Sequence, residues 1–171
     1  MERTYFLTTA RTGFSTWRPD DRPLAHLLWG DPRVGRYICK AGQFTPEEVD
    51  ARFRQELDNL EQYQVQYWPV FSLETGELIG CCGMRPHDGA YNLGFQLRPE
   101  YWGRGYATEC GRAAIDYAFR SLRIQKLVAG HHPDNANSRK VLAKLGFTYT
   151  GDELYPPTGL MHPGYILLPE D

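Results

Sequence analysis

Hydrophobic and polar positions along this chain follow two periods, and the changes between them divide it into elements. Residues near 4–18 read as one or two short strands around Ala10-Arg11-Thr12-Gly13. Pro23 to Trp29 reads as a short helix, with Asp21 near its start. Thr45-Pro46-Glu47-Glu48 is a helix start: Thr45 is the N-cap, Pro46 opens the first turn, and Glu48 lies three residues after the cap. Val49, Phe53, Leu57 and Leu60 then share one helical face. Val65 to Leu73 and Leu78 to Met84 flank a Glu74-Thr75-Gly76-Glu77 turn and predict an antiparallel hairpin. Pro69 predicts an edge or a bulge in that pair. Arg85 to Ala90 reads as a loop, and Tyr91 to Leu97 as the next strand, with Gly94 marking a bulge. Tyr106, Cys110, Ala113, Ala114, Tyr117 and Ala118 recur at helical spacing and predict a helix over about Gly103 to Ser121. Lys126 to Gly130 follows as a short strand. A helix from about Asn135 to Leu145 is capped by Asp134 or Asn135 and closed by Gly146. Phe147 to Thr150 and Leu160 to Leu168 are the last strands.

This order predicts an α+β fold: a mixed, mostly antiparallel central sheet of about seven strands, with helices on both faces and one βαβ crossover. No repeat or linker interrupts it, so residues 1–171 form a single domain.

Composition narrows the function classes. A formal net charge of −2 argues against nucleic-acid binding driven by bulk charge. The start, Met1-Glu2-Arg3-Thr4-Tyr5, is polar, and no apolar run approaches the roughly 20 residues that cross a bilayer. The four cysteines, Cys39, Cys81, Cys82 and Cys110, form no CxxC pair. Cys81 and Cys82 point to opposite strand faces and read as small core residues in a reducing cytoplasm. His131-His132 lacks a matching pair at ligand spacing, so no metal site is expected.

The candidate chemistry lies in Trp102-Gly103-Arg104-Gly105-Tyr106-Ala107-Thr108, between a strand and a helix. Glycines there let the backbone turn tightly and approach a ligand. The first turn of the helix offers unpaired N–H donors at a positive dipole end. The combination predicts an anion site, most often one for phosphate.

Leu97-Arg98-Pro99-Glu100-Tyr101-Trp102-Gly103-Arg104-Gly105-Tyr106-Ala107-Thr108-Glu109 resembles the acetyl-CoA motif of the GNAT N-acetyltransferase superfamily. Asn135-Ala136-Asn137-Ser138 with Lys144-Leu145-Gly146-Phe147 resembles its second motif. Thr9-Ala10-Arg11 and Asp31-Pro32-Arg33-Val34 look like the branch related to ribosomal-protein N-terminal acetyltransferases. The resemblance implies a sheet splayed between the fourth and fifth strands, with acetyl-CoA as co-substrate in the gap. It assigns the pyrophosphate to the amides of Gly103, Arg104, Gly105, Tyr106, Ala107 and Thr108. It assigns the pantetheine arm to Asn135 and to the main chain of Phe95 to Leu97. Lys140 or Arg139 would reach the 3′-phosphate, with a solvated helix face as the alternative. The resemblance is compatible with a homodimer.

Acetyl transfer needs a neutral amine, a stabilised thioester oxygen and a proton for the leaving thiolate. At pH 7 neutralising a lysine-like amine costs about 4.6 kcal/mol. Where much of the superfamily carries a tyrosine to protonate the thiolate, this chain has Leu142. Ser138 matches the serine that replaces it in the ribosomal-type branch. Relatives often carry a glutamate at the position of Asn92, which cannot act as a base. Glu109 matches the branch motif, and Asp88, His87 and His131 are further candidates for the base. Trp17, Trp29, Tyr37, Tyr67, Trp68 and Tyr101 form an aromatic set for an acceptor pocket or for the core. Asp152 to Pro163 reads as a loop shaping the acceptor site. The expected function is acetyl transfer from acetyl-CoA to a primary amine, a protein N-terminus or a small molecule, by direct attack in a ternary complex. The alternative is a non-catalytic acyl-CoA-binding or sensor module. A dinucleotide oxidoreductase fails because Gly103-x-Gly105 is followed by Thr108 where a third glycine belongs.

Overall fold

The computed structural model describes residues 2–171. The strands are β1 (Leu7–Thr8), β2 (Thr12–Phe14), β3 (Tyr67–Ser72), β4 (Leu78–His87), β5 (Ala90–Leu97), β6 (Leu127–Gly130), β7 (Thr148–Tyr155) and β8 (Leu160–Leu167). They form one eight-stranded sheet in the order β1-β2-β3-β4-β5-β6-β8-β7. Only the β5–β6 pair is parallel. The helices are α1 (Arg22–Trp29), α2 (Pro32–Gly35), α3 (Pro46–Tyr63), α4 (Tyr106–Asp116) and α5 (Ala136–Lys144). The expected α+β class therefore holds. The strand count rises from about seven to eight because the N-terminal segment folds back at Ala10-Arg11 into two short strands. The splay accordingly falls between the fifth and sixth strands.

Each sheet face packs on its own core. Cys82, Met84, Leu93, Leu97, Cys110, Ala114, Ala118, Leu127 and Leu142 are buried together beneath α4 and α5. Trp17, Leu28, Trp29, Phe53, Phe71 and Cys81 are buried with α1 and α3 on the opposite face. Fully burying one such leucine or phenylalanine side chain contributes roughly 1.5–3 kcal/mol, so these two clusters hold the sheet between the helices. Cys81 and Cys82 fall into different clusters, as strand alternation requires.

Local signals set the helix ends. Thr45 and Glu48 form the reciprocal capping box at the start of α3, with hydrogen bonds of 3.2 and 3.0 Å. Asn135 caps α5 by accepting from the Ser138 amide at 3.2 Å. After Asp116, α4 loosens into a π-helical turn, Tyr117–Ser121, closed by a 3.0 Å bond from the Leu122 amide to the Tyr117 carbonyl.

Four expectations change. Gly94 is not a bulge: the β4–β5 register runs evenly through Gly83↔Gly94. A Cβ at Gly94 would meet the Tyr67 ring at 2.6 Å, so the glycine makes room for that ring. Arg85 to Ala90 is not a loop: β4 continues to His87, and Asp88-Gly89 turns the chain with φ of 44° and 78°. Asp152 to Pro163 is largely a hairpin, paired out to Tyr155↔Leu160. On α3 the buried face carries Glu56 and Asn59 beside Val49 and Phe53, while Leu57 is only partly buried.

The fold positions one gap. β5 and β6 pair only through Tyr91↔Leu127 and Asn92↔Val128. Beyond that point β5 stays with β4 out to Leu97↔Gly80, and β6 stays with β8 out to Gly130↔Gly164. Each strand is satisfied on its outer edge, and the inner edges diverge with unpaired backbone donors and acceptors.

Candidate active site

The gap widens into a cleft of about 940 Å³. Its walls include Phe95 and Leu97 on β5, the turn at Gly103 and Gly105, the first turn of α4 at Tyr106, Ala107 and Thr108, and Asn135, Ser138 and Lys140 on α5. The tertiary structure thus brings together nearly all the residues the motifs singled out for the co-substrate. Arg104 and Glu109 do not line it.

At the glycine turn the cleft is lined by Gly103 and Gly105, which offer backbone groups alone. Gly103 and Gly105 have φ of 70° and 81°, a region that L side chains rarely adopt. Gly105 is the N-cap of α4 and supplies no side-chain cap. The first helical bond runs from the Glu109 amide to the Gly105 carbonyl at 3.1 Å, so the amides of Tyr106, Ala107 and Thr108 precede any intrahelical acceptor.

The side chains of Arg104 and Glu109 act on the outside of this turn. Glu109 accepts from Thr9 Oγ1 at 2.5 Å, from Arg11 Nε at 2.8 Å and from the Arg11 amide at 3.2 Å. Burial alone would raise the Glu109 carboxyl; the hydrogen bonds from Thr9 and Arg11 outweigh it and hold the group below its ordinary range. Arg11 in turn donates from Nη2 to the Arg104 carbonyl at 3.1 Å, and its guanidinium lies 3.8 Å from the Tyr106 ring centre. Arg11 is therefore a clamp from the β1–β2 turn onto the glycine turn. No local pattern pairs it with Glu109, which is 98 residues away. Arg104 itself reaches back to the Glu100 carbonyl at 3.4 Å.

Near the second motif, Leu142 is 2% exposed and belongs to the core. Ser138 lines the cleft, and the capping bond there is made by its amide rather than its hydroxyl. Lys140 lines the cleft with an exposed side chain, whereas Arg139 does not line it.

The candidates His87, Asp88 and His131 all line the cleft, as does Asn92, and they differ in exposure and in partners. Asp88 is 94% exposed at the tip of a hairpin, and His87 is 54% exposed beside it. Asn92 donates to the Tyr67 hydroxyl at 2.8 Å. His131 is 7% exposed and lines the cleft with Tyr165. Its Nδ1 lies 2.7 Å from the His132 carbonyl, an acceptor, so Nδ1 carries the proton. Nε2 then accepts from the Tyr165 hydroxyl at 3.0 Å. Burial pushes the imidazole below its ordinary value, which keeps it neutral. Tyr165, absent from the sequence reading, is found only because β8 runs beside β6 at Ala129↔Tyr165.

The aromatic set divides as well. Tyr37, Tyr67 and Tyr101 line the cleft, and Trp17, Trp29 and Trp68 are buried in the two cores. Among the described residues no group of three or more His, Cys, Asp or Glu side chains is placed to hold a metal ion. No helix among them is long and apolar enough to cross a membrane.

Comparison with known proteins agrees with this geometry. The family model described as an acetyltransferase (GNAT) domain matches residues 11–148. An uncharacterized N-acetyltransferase, p20, of Bacillus licheniformis is 30% identical over 149 residues, 85% of this chain and 83% of that one. The [ribosomal protein uS5]-alanine N-acetyltransferase of Escherichia coli is 32% identical over 89 residues, 50% of this chain and 46% of that one. The crystal structure of an acetyltransferase from Agrobacterium tumefaciens superposes with a TM-score of 0.80 at 26% identity, covering 98% of both chains. With its two motifs folded around one splayed sheet, this chain belongs to the GNAT acetyltransferase family.

Proposed function

We propose that the protein transfers an acetyl group from acetyl-CoA to a primary amine by direct attack within the cleft. One observation carries this reading: the unpaired inner edge of β5 leads straight to an uncapped helix start at Gly105. An extended amide-bearing arm fits the first, and a diphosphate fits the second. Acetyl-CoA supplies an activated acyl carbon next to the splay point. The amides of Gly103 to Thr108 bind the pyrophosphate, the main chain of Phe95 to Leu97 and the free amide hydrogens of Asn135 hold the pantetheine arm, and Lys140 stands near the 3′-phosphate.

His131 and Tyr165 act as the base. The Tyr165 oxygen takes a proton from the incoming ammonium while its own proton passes to His131 Nε2. The amine lone pair is then free to attack, and the imidazole carries the charge. Ser138 donates its hydroxyl hydrogen to the departing thiolate sulfur and takes, through water, the second proton that the acylated nitrogen sheds, while the imidazolium returns the first proton to solvent. Glu109 is a positioning residue: it orients Arg11, and Arg11 holds the carbonyl of the glycine turn so that the amides face inward.

The relatives' names support acyl transfer to amines, and one of them, by its name, acts on an alanine of ribosomal protein uS5. The sensor alternative keeps two arguments, the loss of the usual tyrosine at Leu142 and the amide of Asn92 where relatives often carry a glutamate. Release of free CoA from acetyl-CoA, measured against a panel of amines, separates the two. Turnover with any amine supports transfer; tight CoA binding without turnover supports the sensor.

A further inference from the structure

The cleft wall on the α3 side holds more positive charge than the protein itself neutralises. Arg52 on α3 and Arg85 on β4 both line the cleft, on the sheet face that carries Asn92 and Gln96. The carboxylate among them, Glu56, is fully buried and spent: one oxygen pairs with Arg85 and the other accepts the Tyr67 amide at 2.8 Å. Among the described residues Arg52 has no ion-pair partner within 4.0 Å. Its hydrogen bond is a long one, 3.4 Å to Gln96 Oε1, an oxygen that already accepts from Trp29 Nε1 at 2.6 Å. The Trp29 and Phe44 rings lie beside it, with centres 5.2 and 5.4 Å from the guanidinium carbon, and Glu56 acts on it electrostatically without a hydrogen bond. Nε of Arg52 and Nε of Arg85 are both buried without a partner.

A guanidinium removed from water needs an anion or a full set of acceptors. Here burial first, and then the neighbouring Arg85, push Arg52 below its ordinary value, and Glu56, already paired with Arg85, only partly opposes them. The planar fork of an arginine matches a carboxylate in two parallel hydrogen bonds. A polyamine cation would meet repulsion at this wall. An amine tethered to a carboxylate would meet attraction, and the residual positive potential would favour its neutral, attacking form.

We infer that the amine accepted in this cleft also bears a carboxylate, held by the guanidinium of Arg52 with Arg85 beside it, so that the substrate class is small amino-carboxylates. This inference rests on the acetyl-transfer reading above.

The test compares matched pairs at saturating acetyl-CoA, scored by release of free CoA: free amino acids against the amines left when the carboxylate is removed. The wild type is expected to prefer the acids by roughly 10- to 100-fold in kcat/KM, the range of one charge-assisted contact. Arg52→Met should erase that preference while CoA affinity, read by calorimetry, stays unchanged. Arg52→Lys should restore part of it. Equal rates for acids and amines in the wild type, or a preference that survives Arg52→Met, overturns the inference. Peptides with an internal aspartate and an amidated C-terminus form a third arm. Transfer to them and not to free amino acids also overturns the small-molecule assignment. Failure of the wild type to bind CoA overturns the transfer reading itself, and so the two failures are told apart.

Discussion

The glycine turn and the wall beneath α3 are both places where the protein meets charge, and they are built from different material. At the turn, the donors are peptide N–H groups aimed by two positive-φ glycines and the start of α4. Along the wall, they are the guanidinium groups of Arg52 and Arg85, one balanced by Glu56 and one not. A backbone site costs no side-chain ordering and is uncharged, so it tolerates standing without its ligand. A half-buried guanidinium whose Nε has no partner does not, and its cost of desolvation remains until an anion arrives. The first design suits a co-substrate shared across a family, and the second suits one acceptor.

Substitutions can break that contrast, beginning with the largest effect. Gly105→Val forces a β-branched residue to φ near 81° and swings the neighbouring amides away. Losing two or more charge-assisted bonds should weaken CoA binding by more than about 100-fold in calorimetry. Near-native affinity would mean the backbone does not make this site.

His131→Gln keeps a polar side chain but removes the proton acceptor. It should lower kcat/KM by about 100- to 1,000-fold at unchanged CoA affinity. The pH profile sharpens this prediction. Burial lowers the His131 value below 6.5, and the neutral ring is the working form. The acid limb of kcat/KM in the wild type should therefore fall below pH 6.5, and it should vanish in His131→Gln. The sign for stability is the same. The unfolded chain binds the proton more readily, so the contribution is complete above pH 6.5 and is lost as the pH falls.

Ser138→Ala should reduce kcat by about 10-fold, the worth of one hydrogen bond to a charged group, and leave CoA binding alone. Unchanged turnover would remove its role at the thiolate. Arg104→Ala is the mildest: an exposed arginine contact is worth about 0.2–1 kcal/mol, so CoA affinity should fall by less than about 5-fold. If Arg104→Ala matched Gly105→Val, the turn would be a side-chain site after all.

Much of this protein was legible in its sequence, and the legible parts share a cause. Thr45 and Glu48 cap α3 from three residues apart, and Asn135 and Ser138 do the same for α5. Gly103 and Gly105 announce their turn because only glycine takes that φ freely. Asp88-Gly89 carried an equally local hairpin signal, yet Pro86 and His87 gave the segment the look of a loop. Glu109 shows the opposite case. Its motif position suggested chemistry, and its true neighbours, Thr9 and Arg11, lie about a hundred residues upstream.

The sequence by itself determined most of the helices and strands, the turn at Gly103 and Gly105, and the helix start that follows it, since these depend on residues within a turn of one another. Only the tertiary structure decided that Arg11 braces that turn, that Tyr165 reaches His131, and that Glu56 pairs with Arg85 and not with Arg52. Those pairings join distant stretches of chain, and their energies exist only once burial has removed the water that would otherwise solvate each partner alone.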